Sequence, residues 1–130
     1  MSTPELATQL KALIRGIWFP SETEAPWTMP SWRLGAVEPY EIRQVLHRAT
    51  DIAIAEITLD DLVGQVTHRC RGYGDEGKAI AQQHQVLANF LNHHCDTVRV
   101  FRVGHVTIDV LVVGQTSEGH VLLQTQSVET

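Results

Sequence analysis

Apolar residues in the first third of the chain recur three and four positions apart, which is the spacing of one face of a helix. In the N-terminal segment these residues are Leu6, Leu10, Leu13, Ile14 and Ile17. Thr3 and Pro4 precede them in an order that is typical of a helix start, so we predict a first helix from Thr3 to about Gly16. A second helix is predicted to begin at Pro39, with a buried face formed by Ile42, Val45, Leu46 and Ala49.

Two more helices are predicted in the middle of the chain. Asp60 is expected to cap a short helix that ends near Thr67, and a glycine-rich loop at 72–74 follows it. A long helix is then predicted from about Asp75 to His94. Its apolar spacing predicts a core face made of Ile80, His84, Leu87 and Leu91.

Alternating apolar and polar residues, the period of a strand with one buried face, dominate the last third of the chain. They predict strands at 98–101, 106–112 and 121–128, with turns at Gly104 and at 114–119. Two earlier strands are predicted near 31–34 and 52–58. The pattern indicates an α+β fold in which a mixed sheet of about five strands ends in an antiparallel meander, with helices to cover its faces.

The composition fits a single globular domain over residues 1–130. The chain has 130 residues, of which 43% are hydrophobic, and this is enough to bury a core without metals or disulfides. No apolar run has the length of a membrane span, and the first five residues lack the basic and apolar parts of a signal peptide. We therefore expect a cytoplasmic protein that is a monomer when free and does not contact membranes.

The chain is acidic, with a formal net charge of −5 from 15 acidic and 10 basic residues. This charge opposes the phosphate backbone, and no Lys/Arg cluster forms a basic stripe, so direct binding to nucleic acid is not expected. An acidic protein instead suits a basic partner, such as the positively charged cleft of an enzyme that itself handles nucleic acid.

The histidines and cysteines raise the alternative of a small zinc-binding domain. His68 with Cys70 forms one candidate pair of ligands, and His93 with Cys95 forms the other. Neither pair has the spacing of a zinc finger, so the zinc site stays an alternative. The chain also lacks GxSxG, P-loop, GxGxxG and HExxH motifs, and we predict neither an enzyme nor a cofactor.

Prolines bracket a short acidic segment near the N-terminus. Pro20 and Pro26 flank the sequence Ser-Glu-Thr-Glu at 21–24 and stiffen it, so a carboxylate presented there loses little conformational entropy on docking. The neighbouring tryptophans are predicted to anchor the loop in the core; they are Trp18, Trp27 and Trp32. The alternative interpretation is a solvated surface loop without a binding role.

The last three residues, Val128, Glu129 and Thr130, directly follow the last predicted strand. A terminus in this position would offer a carboxylate, the Thr130 hydroxyl and the Glu129 side chain from one rigid support. Oxygen ligands of this kind suit a hard cation such as Mg²⁺. These residues therefore make the end of the last strand suitable for binding a hard cation.

Two segments of the chain carry a resemblance to a known family. The segment 19–27 reads Phe-Pro-Ser-Glu-Thr-Glu-Ala-Pro-Trp. The second segment lies in the C-terminal part of the chain, and the residues that show the similarity are 100–104, 108–110, 113–114, Thr116, Gly119, Thr125 and 128–130. The first is similar to the Ser-Glu-x-Glu-x-Pro-aromatic loop, and the second to the C-terminal signature, of the nuclease A inhibitors of cyanobacteria and other bacteria. The resemblance spans nearly the whole chain and implies a three-layer α/β/α sandwich.

This resemblance implies a protein inhibitor that blocks, one to one, the active site of a sugar-nonspecific, Mg²⁺-dependent endonuclease. It implies that Thr130 reaches the Mg²⁺ of the nuclease and that Glu22, the first glutamate of the loop, meets basic active-site residues. Glu24, Glu129 and Tyr73 complete the expected contact set, and the protein is expected to bind no metal of its own. The remaining alternative is an interaction module whose partner is unrelated to nucleases.

Overall fold

The computed structural model describes residues 2–130, which form four helices and six strands. The helices are α1 (Thr3–Leu13), α2 (Pro39–Val45), α3 (Leu59–Cys70) and α4 (Gly74–His94). The strands are β1 (Trp18–Phe19), β2 (Ala25–Pro26), β3 (Ile54–Ile57), β4 (Thr97–Val103), β5 (Thr107–Thr116) and β6 (Gly119–Val128). Within this range no helix combines the length and apolar character needed to cross a membrane.

The strands form two antiparallel sheets. The larger sheet has four strands in the order β3-β4-β5-β6, and the smaller one pairs β1 with β2. This confirms the predicted α+β fold and its C-terminal meander. The prediction of a mixed sheet of about five strands is only approximate. The larger sheet has four strands, and every pair of strands among residues 2–130 is antiparallel.

The larger sheet is covered on both faces, because successive side chains of a strand point to opposite sides. Val110 and Val112 of β5 pack in a core with residues from α1, α3 and α4. Leu111 and Val113 pack on the other face with Ile42 of α2. The molecule is therefore layered as helices, sheet, and a thinner layer made of α2 and the preceding segment.

The helix boundaries follow their capping residues. Thr58 caps α3, since its side chain accepts from the Asp61 N–H while the Asp61 carboxylate accepts from the Thr58 N–H. The prediction that Asp60 is the cap is therefore wrong, and α3 continues to Cys70, beyond the predicted end near Thr67. In α2 the helix stops at Val45, short of Ala49, because His47 adopts a left-handed conformation with φ of 55°.

The predicted strand near 31–34 is absent from the described residues, and only Thr28 pairs with β6 there. Thr28 and Gln124 exchange two backbone hydrogen bonds of 2.8 Å. The next such pair in an antiparallel ladder would place Pro30 opposite Leu122, and proline has no N–H to donate. The pairing therefore ends at a single bridge.

The tryptophans divide between core and surface. Trp27 is 4% exposed and anchors the loop as predicted, whereas Trp32 is half-buried. Trp18 is 46% exposed, so its predicted place in the core is wrong. The alternation of β1 explains the difference, because it turns Phe19 fully inward and Trp18 outward.

Candidate functional site

The acidic loop, residues 20–24, connects β1 to β2 and is fixed at its base by the core. The Trp27 ring N–H donates a 3.0 Å hydrogen bond to Nε2 of the buried His84, whose Nδ1 donates to the carbonyl of Ile80 at 2.9 Å. His84 is thus held as one neutral tautomer. The hydroxyl of buried Thr125 donates to the carbonyls of Ala25 and Pro26 at 3.3 and 3.0 Å.

The tip of the acidic loop lies along the end of β6. The Ser21 hydroxyl donates to the Thr23 carbonyl at 2.6 Å and accepts the Val128 N–H at 3.0 Å. The Glu22 N–H donates to the Val128 carbonyl at 3.2 Å. Loop and strand therefore form one hydrogen-bonded unit, although more than a hundred residues separate them along the chain.

This unit brings Glu22 and Thr130 into direct contact. One oxygen of the Glu22 carboxylate accepts the Thr130 N–H and the other accepts the Thr130 hydroxyl, both at 2.5 Å. Both residues remain exposed to solvent. The two groups that the sequence analysis singled out from opposite ends of the chain thus lie side by side.

Glu129 occupies a different environment from its neighbour Thr130. One oxygen of its carboxylate lies 2.6 Å from Arg102, and the other lies 2.8 Å from Arg69 and 2.6 Å from the Ser127 hydroxyl. Burial alone would raise the pKa of Glu129, but the hydrogen bonds from Arg102, Ser127 and Arg69 outweigh it and lower the pKa to about 2. The side chain expected to contact a partner is engaged within the protein.

Arg69 and Arg102 are the site residues that the sequence analysis missed. Arg69 lies in the last turn of α3, where its guanidinium donates to the Pro20 carbonyl at 3.0 Å and stacks over the Phe19 ring at 5.5 Å. Arg102 extends from β4 and also contacts Gln65 at 3.2 Å. No local pattern marks either arginine, because their partners are distant in sequence.

A groove of about 780 Å³ runs beside the Glu22–Thr130 contact. The acidic loop and residues 128–130 form one wall, and the end of α3 and the start of α4 form the other. Glu24 and Tyr73 both line it, and Tyr73 is 71% exposed. All five predicted contact residues, Glu22, Glu24, Tyr73, Glu129 and Thr130, therefore border one groove, which we call the acidic groove.

The exposed charge of the acidic groove is negative. Glu22, Glu24 and Glu76 line it with exposed side chains. Arg69 also lines it, but its side chain is mostly buried and forms an ion pair with Glu129. Carboxylates beside an exposed tyrosine complement a basic surface with apolar or aromatic contacts.

The four residues of the alternative zinc site do not come together. His68 and Cys70 lie at the end of α3, whereas His93 and Cys95 lie at the far end of α4. The intervening helix, at about 1.5 Å per residue, separates the pairs by roughly 30 Å. Within residues 2–130 no group of three or more possible ligands could hold a metal ion. Burial also raises the pKa of the Cys70 thiol, which disfavours the thiolate that zinc requires.

Comparison with known proteins relates the chain to a family. A family model described as nuclease A inhibitor-like protein matches residues 4–130, nearly the whole chain. None of the curated proteins matches.

Proposed function

The chain belongs to the nuclease A inhibitor-like family, and on that premise we propose that it inhibits a sugar-nonspecific, Mg²⁺-dependent endonuclease by occupying its active site. In this proposal Thr130 is directed to the Mg²⁺ of the nuclease and Glu22 to its basic active-site residues. Tyr73 and Glu24 contact the nuclease from the acidic groove. The inhibitor has no catalytic role and forms a one-to-one complex.

The observation that carries the proposal is the contact between Glu22 and Thr130. Because the Thr130 hydroxyl donates its proton to Glu22, the lone pairs of its oxygen are left for a cation. Each oxygen of the Glu22 carboxylate accepts one hydrogen bond from Thr130 and retains capacity for a second. One exposed cluster can therefore offer a hard-metal ligand and a carboxylate for basic groups at the same time.

The rigidity of the supports favours tight binding. Thr130 continues from β6, and the acidic loop is fixed to the same strand through Val128 and Thr125. Groups that are ordered before docking lose less conformational entropy when the complex forms. A carboxylate and a hydroxyl held in this way can imitate the charge and the oxygen ligands of a phosphodiester.

The test is an Mg²⁺-dependent DNA-degradation assay with a sugar-nonspecific endonuclease from the source organism, titrated with the protein. We expect degradation to stop near equimolar protein, since the complex is one to one. RNA should be protected equally, because the active site itself is occupied. Undiminished degradation at a large excess of protein over each such nuclease of the organism would refute the proposal.

A blocked terminus tests the role of Thr130. The proposal places Thr130 against the Mg²⁺ of the nuclease, so a short extension after this residue should obstruct its approach and raise the inhibition constant by several orders of magnitude. The matched control carries the same extension before residue 2 and should inhibit like the untagged protein. Equal inhibition by both tagged proteins would contradict insertion of the terminus.

Metal removal separates this function from binding to an unrelated partner. A complex that includes a bond from Thr130 to the Mg²⁺ of the nuclease should dissociate faster when EDTA is present. A partner that is not a metal-dependent nuclease should be retained equally with and without EDTA. Binding to the immobilised protein, measured in both conditions, distinguishes the two cases.

A further inference from the structure

We propose that Glu129 is a positioning residue that orients Thr130, through ion pairs with Arg69 and Arg102, instead of contacting the nuclease. The expected effect on inhibition rests on the proposed function, whereas the orientation of Thr130 by Glu129 is argued from contacts within the chain. It changes the role expected for Glu129 from partner binding to internal support.

The Glu129 carboxylate bridges two elements of the fold. Its two oxygens accept from Arg102 of β4 at 2.6 Å and from Arg69 of α3 at 2.8 Å. The backbone N–H of Glu129 donates to the Val106 carbonyl at 2.9 Å, just before β5. The residue that precedes Thr130 is thus fixed by its side chain and its backbone.

Arg69 extends the same network to the acidic loop. One nitrogen of its guanidinium donates to the Pro20 carbonyl at 3.0 Å and to the Ser127 hydroxyl at 3.3 Å. The other nitrogen donates to Glu129. A single side chain therefore connects the loop that carries Glu22 to the strand that carries Thr130.

Apart from its link to Glu129, Thr130 is oriented by two hydrogen bonds to Glu22. Glu22 itself lies on the exposed tip of the acidic loop. If the Glu129 carboxylate is lost, Arg69 loses one of its links between loop and strand, and the last two residues gain rotational freedom. That freedom must be removed again on docking, so inhibition weakens without the loss of any contact to the nuclease.

The first measurement needs no nuclease. Glu129→Gln keeps the shape of the side chain but removes its charge, and we expect amide hydrogen exchange at Thr130 and Glu22 to accelerate about tenfold or more. Amides in the middle of β5 should keep their wild-type exchange rates. The control is Glu56→Gln, which disrupts a two-bond ion pair with Arg99 on the opposite face of the sheet. Wild-type exchange at Thr130 in Glu129→Gln would overturn the proposal.

The second measurement is the inhibition constant of four proteins: wild type, Glu129→Gln, a variant lacking Thr130, and the combination. A positioning role predicts that Glu129→Gln raises the constant roughly 10- to 100-fold in the full chain and has little further effect once Thr130 is absent. Equal effects in both backgrounds would mean direct contact by Glu129 or general destabilisation, and would overturn the proposal. A wild type that does not inhibit refutes the proposed function, while the exchange rates still decide the role of Glu129.

Ser127→Ala provides a second variant in case Glu129→Gln does not fold. It removes one donor to Glu129 and one acceptor for Arg69 with little change in volume. Thr130 exchange should accelerate in the same direction but to a smaller extent. Unchanged exchange at Thr130 in folded Ser127→Ala would count against the network.

Discussion

Glu22 has two roles that can be separated by substitution. Its carboxylate orients Thr130 within the protein and is proposed to meet basic groups of the nuclease. Glu22→Ala should weaken binding by about 2 to 5 kcal/mol, because a close charge pair is lost and the basic partner is left unpaired. The measurement is the inhibition constant.

The control for Glu22 is Glu38→Ala. Glu38 is exposed before α2, where its side chain makes no capping hydrogen bond, and its removal changes the net charge equally. It should leave the inhibition constant nearly unchanged. Equal losses in Glu22→Ala and Glu38→Ala would mean that only overall charge matters.

His84 makes stability depend on pH. Burial lowers the pKa of His84 below the ordinary histidine value of 6.5, and the hydrogen bond to Ile80 opposes this only in part. The neutral form is therefore favoured in the folded state, so its contribution to stability is complete above pH 6.5 and is lost as pH falls below it. We expect the free energy of unfolding to fall between roughly pH 7 and pH 5.

Urea denaturation at both pH values measures this effect, with His84→Gln as the reference. Glutamine can still accept from Trp27 but does not titrate, so the loss of stability on acidification should be smaller in the variant. An identical loss in both proteins would assign the pH dependence to groups other than His84.

Single residues also show what the sequence could predict about the site. Glu22 stood out because prolines flank it, and Thr130 because it follows a predicted strand. The ion pairs of Glu129 could not be predicted, because its partners Arg69 and Arg102 are 60 and 27 positions away. Nothing in the neighbouring residues marks Arg69 as different from other helix-terminal arginines.

At the level of elements, α3 and α4 pack closely where they form a wall of the acidic groove. A Cβ added to Gly77 would lie 2.3 Å from the carbonyl of Cys70 and 3.0 Å from Cβ of Tyr73. Gly77→Ala should therefore lower the free energy of unfolding by about 1 to 3 kcal/mol, because the two helices must separate. Chemical denaturation measures the change.

Gly64→Ala is the matched control on α3. It lies in a helix interior with nothing within 4 Å of the added Cβ, so the higher helix propensity of alanine should stabilise the protein by up to about 1 kcal/mol. The two Gly→Ala substitutions should thus change stability in opposite directions. If both substitutions destabilise the protein, glycine is required at position 77 for backbone flexibility and not because of the contact with Cys70.

The elements that the sequence predicted well are those with sustained periodicity. The long helix α4 and the order of β4, β5 and β6 agree with the prediction. The predicted strand ends at 101 and 112 are too early, because β4 continues to Val103 and β5 to Thr116, which lies within the turn predicted at 114–119. The two-residue strands β1 and β2 are too short to produce a period, and they depend on the contact with β6. The cap of α3 was misplaced because Asp60 and Thr58 are both good caps, and only the reciprocal bond with Asp61 distinguishes them.

For the whole molecule, the net charge of −5 should act mainly on the rate of association. Long-range attraction between an acidic inhibitor and a basic cleft is screened by salt, whereas close contacts in the complex are screened less. Between roughly 0.05 and 0.5 M salt, the association rate constant should fall about tenfold or more and the dissociation rate constant should change little. Surface plasmon resonance separates the two; a salt effect confined to dissociation would contradict electrostatic steering.

The overall layering was predictable in outline only. The consecutive apolar residues at 110–113 place apolar side chains on both faces of β5, so this strand requires cover on two sides. Which helices share a face depends on connections across the molecule. Helices α1, α3 and α4 lie together on one face, while short α2 and the segment before it cover the other. That division leaves the acidic loop, the end of β6 and the start of α4 next to one another.

The pairing of the acidic loop with β6 has a consequence for solubility. An outermost strand with free backbone groups is a template for association with other chains. Here the backbone groups of Val128 are taken by Ser21 and Glu22, and those of Gln124 by Thr28. Substitutions that release this segment should therefore promote aggregation as well as weaken inhibition.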